Sequence, residues 1–313
     1  MKKFLLVLLS FVCLGVVSAC GGGNDSSGNG DKPNVLDPNK PTEELMYTLN
    51  EDGESYTAHG YGTATGLKNI VIPTTYEGLP VTAIADFSYG PLENIYIPEG
   101  VVIIDNYAFS NCSKLKSITI PSTVSVINHG VFMNCTALET VTLYEGIVTI
   151  FDDAFQGCSS LKNITIPETV DYIQGSVFKD CSSLETIAIP SKVYNLDDNI
   201  FDGCSSLKNI TFNDSITIGK YGFYNCTSLE TFTFPANAKS ISSFILSGCS
   251  SLKEVVIPAG VTKIGYDAFA NCTSLENVYF EGSEEAWSKI TVDTTNNSNS
   301  CLLNANIVFN HVR

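Results

Sequence analysis

The stretch "LKNITIP" at Leu161 to Pro167 alternates apolar and polar side chains, with Ile164 and Ile166 on one side and Asn163 and Thr165 on the other. Period two over a short run is the pattern of a strand with one buried face. Pro167 has no amide proton and ends the pairing. A "VxxI" stretch, Val170 to Ile173 here, predicts a second short extended segment. An "AFxxC" stretch, as at Ala154 to Cys158, then turns the chain back with Phe155 and Cys158 filling the interior.

This pattern recurs along the chain. Its leading leucines are Leu67, Leu92, Leu115, Leu138, Leu161, Leu184, Leu207, Leu229, Leu252 and Leu275, and most of them stand 23 residues apart. A fixed period of this size, each unit too small to bury its own apolar face, predicts a solenoid with one coil per unit. Stacked at about 4.8 Å per coil, about ten coils span on the order of 45 Å. The unit at Leu207 is one residue short and carries Asn213 where proline is expected, and the unit at Leu229 has Ile245 and Leu246 in place of Ala-Phe. Irregularity is therefore expected between residues 212 and 248.

The segments outside the repeat have a different composition. Lys2 and Lys3 precede the apolar run "FLLVLLSFVCLGVV", which is too short for a stable membrane span and is followed by small residues, as in an export signal. Residues 1–19 are expected to be removed. Residues 20–42, rich in Gly, Ser, Asn and Pro, have almost nothing to bury and are expected to form a flexible tether. With 33 acidic against 17 basic residues, a formal net charge of -16 argues against nucleic acid or anionic lipid headgroups as partners. His59, His129 and His311 lie far apart with no metal-ligand spacing around them, so no metal site and no cofactor is expected.

Eleven cysteines in an exported chain would ordinarily suggest disulfides. Cys112, Cys135, Cys158, Cys181, Cys204, Cys226, Cys249 and Cys272, however, hold the same place in successive units, so their side chains run parallel at about the coil spacing, wider than a bridge prefers. Buried free thiols that behave as small apolar residues are the expectation. The residue after each repeat leucine alternates in sign without a break from Lys68 and Glu93 to Lys253 and Glu276. Stacked in register, such a row neutralises itself and fixes the register rather than forming a charged strip. The remaining acidic residues are scattered, with no nucleophile and base in company, and the chain is expected not to be an enzyme.

The C, L, I, I-P, V, I and A-F positions of this unit resemble the BspA-type bacterial leucine-rich repeats, over roughly three quarters of the chain. The resemblance implies a β-rich leucine-rich repeat solenoid over residues 67–279, with a parallel strand array on one face. It also implies an N-terminal cap over 43–66, carried by "YTLNEDGESYTAHGY", and a C-terminal cap over 280–313, carried by "VYFEGSEEAWSKI". "VSAC" at Val17 to Cys20 resembles a bacterial lipobox, which implies lipidation of Cys20 and membrane attachment through that lipid alone, at the cell surface or facing the periplasm.

Leucine-rich repeat families bind through the inner face of the strand array, so the outward strand positions are the implied ligand face. They are Asn94 and Tyr96, Ser117 and Thr119, Thr140 and Thr142, Asn163 and Thr165, then Thr186, Asn209 and Thr211, Thr231 and Thr233. The row is polar, uncharged and expected to be flat. The resemblance implies a monomeric surface protein that captures a protein ligand, as in adhesion. The alternatives are glycan capture, which would want aromatic platforms closer together than Tyr96 and Tyr279, or a spacer in the envelope that binds nothing.

Overall fold

A computed structural model describes residues 36–43, 45–60 and 66–312. The expected leader over 1–19, Cys20 and the tether up to residue 35 lie outside them. The repeats form a right-through stack of about ten coils with three sides: two parallel sheets and a side made of tight turns. Leucine, isoleucine, phenylalanine and cysteine side chains from every coil fill the single core between them.

The first sheet is the "LxxIxI" array. Asn69–Val71 pairs with Asn94–Tyr96, Ser117–Thr119 with Thr140–Thr142, and Thr186–Ala188 with Asn209–Thr211. Thr231–Thr233, Glu254–Ile257, Asn277–Phe280 and Asn306–Val308 then form one four-stranded sheet. "LKNITIP" departs from its expected strand: Ile164 and Ile166 are buried as the alternation requires, but only Asn163 pairs, through an isolated bridge to Thr186. The second sheet comes from the "VxxI" stretches, and Val126–Ile127, Thr149–Ile150, Tyr172–Ile173, Asn195–Leu196 and Thr217–Ile218 form its longest unbroken run. The hairpin of Met46–Leu49 and Tyr56–His59 joins this sheet at one end, by parallel pairing with Leu79–Ala85.

The turn side is the continuous one. In each coil the residue before the Ala-Phe pair and the residue before the cysteine have positive φ, as at Asp153 and Gly157, Asn199 and Gly203, or Tyr221 and Asn225. These kinks aim three amides at the next coil. In the coil of Cys158, Asp153 N donates to Gly175 O at 3.3 Å, Phe155 N to Val177 O at 3.0 Å and Gly157 N to Lys179 O at 2.8 Å. The same triplet repeats from Tyr107 through Gly248. After the turn of Cys272 no further Ala-Phe-x-x-Cys turn follows, and side chains take over: Asn299 is fully buried and accepts from Phe269 N at 2.9 Å, while its amide donates to Gly265 O at 2.9 Å and Asp293 O at 2.8 Å.

Gly157, Gly203 and Gly248 alternate with Asn or Asp at the place before cysteine. The reason is spatial as well as conformational, because a Cβ on Gly157 would lie 2.4 Å from Asn134 Oδ1, and one on Gly203 2.3 Å from Asp180 Oδ1. The polar side chain of one coil thus occupies the space left by the glycine of the next. This gives the repeat a two-coil superperiod in its second half, in step with the alternating Lys and Glu row.

Behind the turns run two ladders. The rings of Phe109, Phe132, Phe155, Phe178, Phe201 and Phe223 stack with centroids 5.4 to 5.7 Å apart. The eight repeat cysteines are free and buried. Each thiol does more than fill space, for it donates to a carbonyl of the preceding coil, Cys112 to Phe87 O at 3.1 Å and Cys158 to Phe132 O at 3.2 Å among them. Removal from water pushes the Cys112 and Cys249 thiols up to about 12, and Cys158, Cys204 and Cys226 are raised as well. Thiolate chemistry is suppressed along the whole ladder.

Both sheets are interrupted at the same two junctions, between the coils of Leu92 and Leu115 and between those of Leu207 and Leu229. The second lies in the region expected to be irregular, and the deleted residue falls between Ile216 and Ile218, at the entrance to the second sheet. There the phenylalanine stack ends at Leu246, and Phe232 and Phe234, standing where other coils have isoleucine, refill the core, with Phe232 4.8 Å from Phe223 and Phe234 6.2 Å from Phe269. At the first junction polar side chains bridge the coils: Ser122 Oγ donates to Glu99 at 3.0 Å and Asn128 to Ile104 O at 2.7 Å. Tyr144 also stands at a proline position, in the coil of Leu138.

The ladder predicts eight thiols that alkylating reagents reach only after denaturation. Thiol counting on the intact and the denatured chain checks this, and rapid native labelling or recovery of the eight as disulfides would refute the stacking. Cys158→Ser, which keeps a donor, is expected to cost less stability than Cys158→Ala, which removes one of the two hydrogen bonds to Phe132 O, the other coming from Cys135 N at 3.1 Å, at about 0.5 to 1.5 kcal/mol for the lost bond.

Candidate strand-face binding site

Alternation in each strand points one residue of every pair into the core and the next outward, so the face follows from the repeat itself. Ser117, Thr119, Thr140, Asn163, Thr165, Thr186, Asn209, Thr211, Thr231 and Thr233 are exposed, whereas Asn94, Tyr96 and Thr142 are half-buried. The row is partly self-satisfied. Asn94 donates to Asn69 at 2.8 Å and Thr186 to Asn163 at 2.9 Å, which ties neighbouring coils together through their side chains.

Both ends of the row are covered. Val71, at the outward position of its strand by alternation, is buried, because Thr42 lies along that strand: Thr42 N donates to Val71 O at 2.9 Å and Val71 N to the Thr42 hydroxyl at 2.9 Å. At the other end Tyr279 packs on His311, with ring centroids 4.8 Å apart, and its hydroxyl reaches Glu254 at 3.3 Å.

The expectation of a flat face holds only in part. Where the coil of Leu161 forms no full strand, a hollow of about 500 Å³ opens, lined by Asn163, Thr165, Thr186, Asn209 and Thr211 with Glu145 and Glu168 at its edge. A second hollow of about 300 Å³ lies at the junction after Leu207, where Asn209, Thr211, Thr231 and Thr233 surround Phe212 and Phe232. The hollows adjoin one another through Asn209 and Thr211, so the structure brings the central predicted residues together around a relief invisible in the repeat. Its signal was present in the missing residue of the Leu207 unit. Beside the face, Lys68 pairs with Glu93 at 2.9 Å, Lys208 with Glu185 at 3.8 Å and Lys253 with Glu230 at 2.9 Å, so the alternating row closes in places. Among the described residues, no cluster of three or more His, Cys, Asp or Glu is placed to hold a metal ion. Among the same residues, no helix is long and apolar enough to cross a membrane.

No curated protein matches the chain. Among solved structures, it is similar to a Treponema pallidum leucine-rich repeat protein, at 26% identity over 75% of this chain and 90% of that one, with a TM-score of 0.44. It is similar to a leucine-rich cell surface protein of Faecalibacterium prausnitzii, at 23% identity over 81% of this chain and 97% of that one, with a TM-score of 0.37. The pneumococcal vaccine antigen PcpA matches at 15% identity over 87% of this chain and 98% of that one, with a TM-score of 0.43. The model of the BspA-type leucine-rich repeat region matches residues 84–208 and 176–297 in six copies, well over half of the sequence. The chain therefore belongs to the BspA-type leucine-rich repeat family.

Proposed function

We propose that this protein is a lipid-anchored cell-surface binding protein that captures a macromolecular ligand, a protein of the host or its matrix, through the strand face of the solenoid. The observation that carries this reading is the exposed, uncharged row of Asn, Ser and Thr that runs over successive coils and surrounds the two central hollows. Such a surface has no deep enclosed site, so affinity must be summed over several coils. Family membership supports a role in binding rather than in catalysis. "VSAC" after an apolar run supports attachment through acylated Cys20, with several acyl chains on one residue holding far more firmly than one. The negative charge of the folded part supports a stand-off from the membrane.

Changing Asn163, Thr165, Asn209 and Thr211 together to Glu is expected to abolish capture of any matrix protein that the parent binds in a plate assay, with the circular dichroism spectrum unchanged. Gln174→Glu with Lys220→Glu is expected to bind as the parent does. Loss in the second variant with retention in the first would move the site off the strand face.

Detergent-phase partitioning of the exported chain tests the anchor. The parent is expected in the detergent phase and Cys20→Ala in the aqueous phase. Equal detergent partitioning of the two would refute lipidation at Cys20.

A further inference from the structure

The second sheet turns outward a surface unlike the strand face. Over the coils of Leu92 to Leu184 it exposes Val102, Ile103, Val148, Tyr172 and Tyr194, the last to 62%. Val148 is tied to its neighbours on both sides by main-chain bonds, Val148 N to Ser125 O at 2.8 Å and Asp171 N to Val148 O at 3.0 Å, so these side chains stand on a fixed array rather than on loops. Exposed aromatic and branched side chains grouped on one ordered face are characteristic of an interaction surface.

The charge around them is predominantly of one sign, with the exposed Lys192 at its edge. Segments 101–107, 124–130, 147–153, 170–176 and 193–199 build this face and its adjoining corner. They contain Asp105, Asp152, Asp153, Asp171, Asp197 and Asp198 and no lysine or arginine. A hollow of about 650 Å³ at that corner is lined by Tyr107, His129, Asp152, Asp153, Asp197 and Asp198. Some of these carboxylates also hold the stack, Asp152 accepting from Gly175 N at 3.0 Å and Asp198 from Lys220 N at 2.7 Å. A carboxylate so bonded still has lone pairs to offer. Lys220, Lys239 and Lys263 occur only in later coils, so the acidic stretch ends with the coil of Leu184.

We propose that this second-sheet surface docks a Lys- and Arg-rich polypeptide segment that carries apolar side chains between its cations. Carboxylates would pair with the cationic heads, tyrosine rings would take guanidinium groups on their faces, and the valine and isoleucine side chains would cover the apolar residues between. Charge decides the occupant. Nucleic acid and anionic membranes are repelled by this surface, as is a second copy of a chain of net charge -16. The chain's own tether, with Asp25, Asp31 and Asp37 against Lys32 and Lys40, is not basic. The proposal concerns a different surface from the strand face and stands apart from the function assigned there.

Fluorescence anisotropy of the full chain with a labelled peptide alternating Arg and Leu tests it, alongside peptides alternating Glu with Leu and Arg with Ser. The Arg-Leu peptide is expected to bind best, and binding is expected to collapse as salt approaches about 1 M, where charges are screened beyond about 3 Å. Asp105→Asn with Asp171→Asn is expected to weaken it by about tenfold or more, chiefly in on-rate and salt dependence. Val102→Ser with Val148→Ser, at the exposed aliphatic positions, is expected to weaken Arg-Leu more than Arg-Ser. Glu43→Gln with Glu284→Gln, which removes the same charge elsewhere, and the strand-face Glu variant are both expected to retain binding. Equal weakening by Glu43→Gln with Glu284→Gln would mean attraction by net charge alone and would overturn the proposal. Failure of the parent to bind the Arg-Leu peptide, or unchanged binding in both second-sheet variants, would overturn it too.

Discussion

The whole stack depends on the three amides that each turn presents to the next coil. Two residues per coil must sit at positive φ for this, an arrangement that costs roughly 1 to 2 kcal/mol for a residue with a side chain. Asn, Asp and Gly lighten that cost before the cysteine. Tyr107, Tyr221 and Phe244 bear it before the Ala-Phe position, where neighbouring coils hold them on both sides. The thiol bond and the phenylalanine stack lie directly behind the same turns, so the bonds, the sulfur ladder and the largest buried side chains reinforce a single register. The two sheets can then be interrupted without the stack coming apart.

The junction after Leu207 illustrates how a local loss is offset. A residue is deleted, proline is absent and the phenylalanine of the stack becomes Leu246, yet the core stays closed because Phe232 and Phe234 bring their rings in from the strand side. Asn213, in the proline position, reaches back to the preceding coil and donates to Val193 O at 2.7 Å. Volume is thus conserved across coils rather than within one, which is the kind of exchange a packed core accepts. The strand face pays nothing in polarity and gains a hollow.

The period, the buried alternation and the parallel thiols were legible because they depend on residue type at fixed spacing, and Ile164, Phe155 and Cys158 lie where that logic puts them. The resemblance supplied the family, and the missing residue near Leu207 marked one junction. Other features depend on pairings that no single coil displays. Nothing about Asn299 distinguishes it from its asparagine-rich surroundings until it is seen standing in for an absent turn. The left-handed turns at Tyr107 and Phe244 contradict local preference and arise from their neighbours. The apolar second-sheet surface was hidden because Val102, Val148 and Tyr194 occupy a position that varies from coil to coil and so drops out of a consensus.

Residue-resolved hydrogen exchange on the folded chain tests most directly whether the turn side holds the stack. The amides of Phe223 and Asn225, which cross the junction after Leu207 to Ile245 O and Ser247 O at 2.8 Å each, are predicted to exchange as slowly as those of Phe155 and Gly157 within the unbroken run. The amides of Phe212 and Thr231, on either side of the interruption in the strand face, are predicted to exchange at least about tenfold faster, through local opening. Slow exchange at Phe212 and Thr231 with fast exchange at Phe223 and Asn225 would place the continuity in the sheets and contradict the account.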